Sequence, residues 1–210
     1  MDLCDMARKL TSGERRTQII DEATRLFSNY GFEKMTVNML ASACGITEAA
    51  LYRYFPSKEK IYDEVLESLK DRIDISSLRL KIGETDDIEV ILVGIAKHIF
   101  GSYIKHKELA RLLLFSSLER HSLANRVYST VRMPYVQLLI ERLEELIAKK
   151  KIRKVNPIMT ARCFVGMVTD CSVGLNLWKR IQGTTFRPDE MISNNIPIFA
   201  QGLKYKEDKH

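Results

Sequence analysis

Apolar residues return every three or four positions along this chain, and no period-two alternation lasts long enough to suggest a strand. Ile19, Ile20, Ala23, Leu26, Phe27 and Tyr30 set the rhythm and predict a helix from about Ser12 to Tyr30. Gly31 follows where a left-handed C-terminal residue is wanted. Thr36 is placed to cap a short helix with Leu40, Ala41 and Cys44 inward and Gly45 at its end. Thr47 caps the next, which should stop by Phe55 because the residue before Pro56 is pushed out of the α region. Ser57 caps a fourth helix with Ile61, Val65 and Leu69 as its inner stripe.

Beyond residue 74 the predicted helices lengthen. Ile88, Ile91, Leu92, Ile95, Ile99 and Tyr103 share one face of a long helix, and a shorter pair follows across 106–130. Pro134 suits a first turn, and Lys149, Lys150 and Lys151 suit a solvated helix end. The stretch DISSLRLKIGETDD, 74–87, reads as a loose joint between two parts of the chain.

From Pro157 to Trp178 the helix is apolar on two sides. Met159, Cys163, Gly166, Asp170, Val173 and Leu177 share one side, and Ala161, Phe164, Val168 and Leu175 the other. A helix apolar on two sides is buried on two sides. One side is expected to face its own domain and the other a second copy, with Gly166 and Gly174 permitting close approach. A last helix near 188–205 carries Ile192, Ile196, Phe199 and Leu203.

Composition changes little in this picture. The chain is 45% hydrophobic and 29% charged, as globular proteins are. No run approaches the roughly 20 apolar residues of a membrane span, and the N-terminus lacks the apolar core of a signal peptide, so a cytoplasmic location is expected. Cys4, Cys44, Cys163 and Cys171 form no CxxC pair and have no His at ligand spacing, which points to reduced, mostly buried thiols, with no metal and no cofactor. Charge matters more. The net is +6, yet residues 1–73 hold 11 Lys and Arg against 12 Asp and Glu, while 74–210 hold 22 against 15. If the first part binds DNA, placed residues must do it, not bulk charge.

Two short helices joined by a tight glycine turn, TVNMLASAC–GI–TEAALYRYF over about 36–55, form a helix-turn-helix pattern. Thr36, Ala41, Gly45, Ile46, Thr47, Leu51, Tyr52, Tyr54, Phe55 and Lys58, preceded by a Gly31-Phe32 pair, stand in the order found in one family. Over roughly 13–73 the chain resembles the TetR family of bacterial transcriptional regulators. The resemblance implies an all-α fold with two domains. A three-helix helix-turn-helix DNA-binding domain would span 13–73, and a larger helical ligand-binding and dimerisation domain 74–210. It also implies a homodimer, here through the last two helices at about 157–178 and 188–205. Such a dimer would bind a palindromic double-stranded DNA operator as a repressor and be released by a small-molecule effector. An activator, or a ligand-independent DNA-binding regulator of the same fold, fits the same residues.

The resemblance puts the second helix of the pair in the major groove. Tyr52 and Tyr54 lie about 200° apart around it, so they would reach phosphates on either side, or one would pack in the core. Lys58 sits at a helix start, where N–H groups and a point charge suit phosphate. Thr36 would serve phosphate or cap only. Thr47, Glu48, Ala49 and Ala50 occupy the leading turn, and Asn38 matches a base-contacting position of some relatives. Glu48 could accept from cytosine or simply suit the helix dipole. Arg53 could contact phosphate or base or be solvated. Arg8, Lys9, Arg15 and Arg16 form a basic arm that could approach phosphate or the minor groove.

In the second part, Phe100, Tyr103, Phe115, Tyr128, Phe164, Met167 and Trp178 are candidate pocket residues, although such a stripe is more often core. Asp170 is a lone acid on an apolar helix and must be paired, protonated, functional or solvated. No Ser-His-Asp, Cys-His, paired-carboxylate or phosphate-loop arrangement supports an enzyme.

Overall fold

The computed structural model describes residues 10–119, 121–177 and 187–205. Among them there are helices and turns and no strand. Helices α1 (Ser12–Lys34), α2 (Val37–Ala43), α3 (Glu48–Tyr52) and α4 (Lys58–Arg72) form the N-terminal part. They are followed by α5 (Ser76–Gly83), α6 (Ile88–Lys105), α7 (Glu108–Leu118), α8 (His121–Val131), α9 (Met133–Ala148), α10 (Pro157–Leu177) and α11 (Pro188–Leu203).

The local signals set the early boundaries. The hydroxyls of Thr36, Thr47 and Ser57 accept from the N–H groups of Met39, Ala50 and Lys60, capping α2, α3 and α4. After α2 the Ile46 N–H donates to the Ala41 carbonyl and the Gly45 N–H to that of Ser42. This doubly bonded stop needs a left-handed residue, and Gly45 has φ +65°. Leu40, Leu51 and Phe55 are buried in the same core cluster as Phe27, Ile61 and Tyr62. Complete burial of a side chain such as Leu51 stabilises by about 1.5–3 kcal/mol.

Helix α3 ends at Tyr52, before Phe55 as expected from Pro56, in a closing turn where the N–H groups of Tyr54 and Phe55 both donate to the Leu51 carbonyl. Two predicted boundaries change. The joint at 74–87 is not loose. It contains α5, whose Leu78 and Ile82 are four residues apart, both buried, and packed over Gly94 of α6. Gly31 does not end the first helix cleanly. It has φ +77° and ψ 174°, and the chain resumes helical geometry to Lys34 beyond the kink.

In the C-terminal part α10 packs against α9 and α6, while α11 lies on α6. One expectation is corrected here. Pro157–Leu175 has a mean hydropathy of 1.3 over 19 residues, so by length and composition alone it could cross a membrane. Its Ala161, Phe164, Val165 and Val168 are instead packed into the bundle. Cys44 is buried as expected, but Cys163 is exposed and Cys171 half-buried.

Candidate nucleic-acid interface and its link to the helical domain

The apolar side of the helix-turn-helix is sealed, and its other side is open. Thr36, Asn38, Thr47, Glu48, Ala49, Tyr52 and Arg53 are exposed, and Ala50, Tyr54 and Lys58 are half-buried. The two tyrosines divide as their spacing requires. Tyr52 stands 46% exposed, while Tyr54 packs against the core at one edge. Each capping threonine accepts through its oxygen, which leaves its own O–H free to act as a donor. Ala49 and Ala50 between Thr47 and Tyr52 keep this face low, which allows close approach to a flat partner.

The basic residues are used differently from the sequence reading. Arg15 donates to the carbonyl of Cys44 at 3.0 Å and to Gln18, so it holds the α2 C-terminus. Arg16 lies over the Phe55 ring at 4.4 Å, pairs with Glu64 at 2.9 Å and donates to the Tyr54 carbonyl. Neither forms a free arm, because each satisfies groups at the end of a short helix. Arg8 and Lys9 lie outside the described residues. Lys58 opens α4 with its ammonium over the Phe32 ring at 4.5 Å and 3.4 Å from the Glu33 carbonyl. It therefore sits at the seam between α1 and α4.

That seam is tied to the second part of the chain. The Glu119 carboxylate, just after α7, accepts from the backbone N–H of Phe32 at 2.9 Å and of Glu33 at 3.2 Å. Arg111 of α7 donates to the carbonyls of Ser28 at 2.6 Å and Asn29 at 3.3 Å. An acid thus holds the N–H groups that the kink at Gly31 frees, and a base holds the carbonyls on its other side. Phe32 in turn meets Tyr62 edge-on at 5.3 Å, and burial lifts the Tyr62 hydroxyl to a pKa of about 12. Arg126 of α8 covers Tyr62 and pairs with Asp63 of α4. Arg72 joins the end of α4 to Asp21 at 2.5 Å and to Glu108 at 3.7 Å. Sequence reading missed Glu119, Arg111 and Arg126 altogether.

This geometry and the comparisons agree. Residues 19–65 match the family model described as bacterial regulatory proteins, tetR family. The chain is 31% identical over 209 residues to the nucleoid occlusion factor SlmA of Enterobacter sp. (strain 638), covering 95% of this chain and 100% of that one. The chain belongs to the TetR family. Solved TetR-like folds superpose along most of its length. The fatty acid degradation regulator FadR from Bacillus halodurans gives a TM-score of 0.72 at 19% identity, covering 94% of this chain and 100% of that one. FadR from Bacillus subtilis, in complex with stearoyl-CoA, gives 0.71 at 17%, covering 89% and 98%. At these identities the likeness concerns the fold alone. As a TetR-family protein the chain is a DNA-binding regulator and not an enzyme.

The candidate pocket residues do not line one cavity in this TetR-family protein. Phe100, Tyr103 and Phe164 are core, and Phe164 packs on Phe199 at 5.1 Å. Phe115 lies against Gly31 at the seam with the first part. Met167 lines a groove between α10 and α11 with Met159, Cys163 and Ile198. Of the described candidates, Tyr128 and the exposed Asp170 line a common cavity, between α7, α8 and α10. Trp178 lies outside the described residues. Gly166 is also reassigned. It sits beside Arg132 in that cavity and does not face outward with Met159 and Cys163.

Proposed function

We propose that this chain is a homodimeric transcriptional repressor that binds a palindromic operator and is released by a small-molecule effector. Its DNA-binding domain would be 13–73 and its ligand and dimer domain 74–210. The observation that carries the reading is the exposed face of Thr36, Asn38, Thr47, Ala49 and Tyr52 over the sealed core of Leu40, Leu51 and Phe55. In this reading Thr47, Glu48, Ala49, Ala50 and Asn38 meet base edges, while Thr36, Tyr52, Arg53, Tyr54 and Lys58 meet phosphate and set the register.

The dimer would form through α10 and α11. Ile158, Met159 and Ile198 are 54%, 66% and 69% exposed, and a groove of about 460 Å³ runs beside them. A cluster of exposed large apolar side chains on two adjacent helices supports an interface. A two-fold axis there would present two α3 helices to successive major grooves, about 34 Å apart. Such a protein works in the cytoplasm, at the nucleoid.

An effector between α7, α8 and α10 would act through the contacts described above. Both α7 and α8 carry the side chains that hold α1 and α4, so separating them from α10 moves the heads. The stearoyl-CoA complex of B. subtilis FadR supports effector binding by this fold. A second reading, DNA binding without transcriptional output, is favoured by the full-length match to a nucleoid occlusion factor.

The test is selection of bound sequences from a random duplex library with the full-length protein, followed by transcript analysis after deletion of its gene. A two-fold symmetric site whose adjoining genes rise supports the repressor. An asymmetric site, or unchanged transcripts beside a symmetric one, removes it, and the latter outcome selects the second reading.

A further inference from the structure

The cavity between α7, α8 and α10 measures about 440 Å³. Leu113 and Val173 give it apolar walls, and Tyr128 contributes an aromatic ring. Two guanidiniums meet that ring. Arg132, at the α8–α9 junction, lies 5.5 Å from its centroid, and Arg162 of α10 lies 6.0 Å from it.

Three observations set this pair apart. Among the described residues neither arginine has a carboxylate within ion-pair distance, although Asp170 lines the same cavity. The Arg132 Nε–H is buried with no acceptor. A buried donor of this kind costs free energy that is recovered only when an acceptor arrives, and charged donors gain most. Finally, a Cβ at position 166 would come within 3.2 Å of Arg132 Nη2, so glycine there lets the guanidinium lie close against α10. Among the described residues Arg79, Arg111, Arg126, Arg142 and Arg153 of the second part are engaged with carbonyls or carboxylates, and although the Nε–H of Arg142 is also buried without an acceptor, its terminal nitrogens are paired.

We infer that this cavity binds a small amphipathic monocarboxylate, its head between Arg132 and Arg162 and its apolar body against Leu113 and Val173. Two arginines and one aspartate leave a single positive charge, which matches a monoanion and disfavours a dianion. A guanidinium presents paired N–H groups that fit a carboxylate's two oxygens. The Tyr128 ring would close one side. This assignment rests on the effector-domain reading above and names the chemistry of its ligand.

The experiment is calorimetric titration of the full-length protein with octanoate and with uncharged octanamide, repeated on Arg132→Gln, Arg162→Gln and Asp170→Asn. Octanoate should bind at least about tenfold more tightly than octanamide, as expected for one charge-assisted hydrogen bond or more. Either arginine variant should weaken octanoate by about the same factor and leave octanamide unchanged, while Asp170→Asn should tighten octanoate. Equal affinity for the two probes, absence of octanoate binding, or wild-type affinity in Arg162→Gln overturns the assignment. Arg162 is exposed, so its variant carries the test if Arg132→Gln does not fold. Operator binding is measured on the same wild-type preparation without probe. Its loss counts against the DNA-binding reading, whereas intact operator binding without octanoate binding sinks the carboxylate site alone.

Discussion

Glu119 closes over Gly31. Its carboxylate takes the N–H groups of the next two residues, and any Cβ at position 31 would collide with Oε1. The relationship joins the end of α7 to the kink in α1 across 87 residues of sequence. The glycine serves the φ of +77°, and a Cβ there would push the Glu119 carboxylate out of its place over the two N–H groups.

Gly31→Ala should therefore lose stability on both counts. Backbone of this kind costs a non-glycine residue about 1–3 kcal/mol. Urea unfolding of the variant should show a lower midpoint with an unchanged slope. A midpoint equal to wild type would mean that neither constraint is felt.

Glu119→Gln should loosen the first part of the chain without unfolding it. An amide has one acceptor oxygen where the carboxylate has two, so one of the two N–H groups loses its partner at a cost of about 1–3 kcal/mol. Hydrogen exchange at Phe32 and Glu33 should accelerate while α9 and α10 stay protected. Uniform protection across the variant would contradict this.

At the proposed dimer surface, Ile198→Glu should give a monomer. The side chain is 69% exposed in the single chain, so the change should leave the fold intact and act only where a second copy would cover it. Sedimentation velocity distinguishes the outcomes, and a dimer of wild-type stability would place the interface elsewhere.

Acidification should weaken the joint near residue 74. Burial holds His98 below the ordinary value of 6.5, against a smaller opposing pull from Asp74, and its Nδ1 lies 2.8 Å from the Tyr135 hydroxyl. A histidine whose folded pKa is depressed binds its proton more readily when unfolded. Its contribution is present above pH 6.5 and is lost as pH falls through that value toward the folded pKa. His106 shifts the same way, chiefly through burial. Thermal unfolding from pH 8 to 5 should decline less steeply in His98→Gln than in wild type.

What sequence made legible was local. Thr36, Thr47 and Ser57 cap helices because a hydroxyl reaches N–H groups three residues on, and Gly45 turns the chain because of its own φ. Those signals lie within one turn of the residue that carries them. The helix α5 escaped notice because Leu78 and Ile82 are too short a stripe to mark a period. Arg15 and Arg16 read as a free arm because their acceptors, Cys44 and Tyr54, lie 29 and 38 residues away. Glu119 and Arg111 went unnoticed for the same reason, because their partners at Phe32, Glu33 and Ser28 lie 83 to 87 residues away. Gly166 fell on the outward face by helical angle, but Arg132 comes from another helix to meet it. Residues whose role depends on a partner from a distant element have no one-dimensional signature.

The proposed DNA contacts are tested most directly by hydroxyl-radical footprinting of the full-length protein on its selected duplex, with Tyr52→Phe alongside. Two protected patches per strand pattern, related by two-fold symmetry and centred about one helical turn apart, are predicted. The variant should keep the same pattern at weaker affinity, because a phosphate-positioning hydroxyl carries no sequence information. A single asymmetric patch, or a Tyr52→Phe footprint and affinity identical to wild type, would contradict the placement of α3 in the groove.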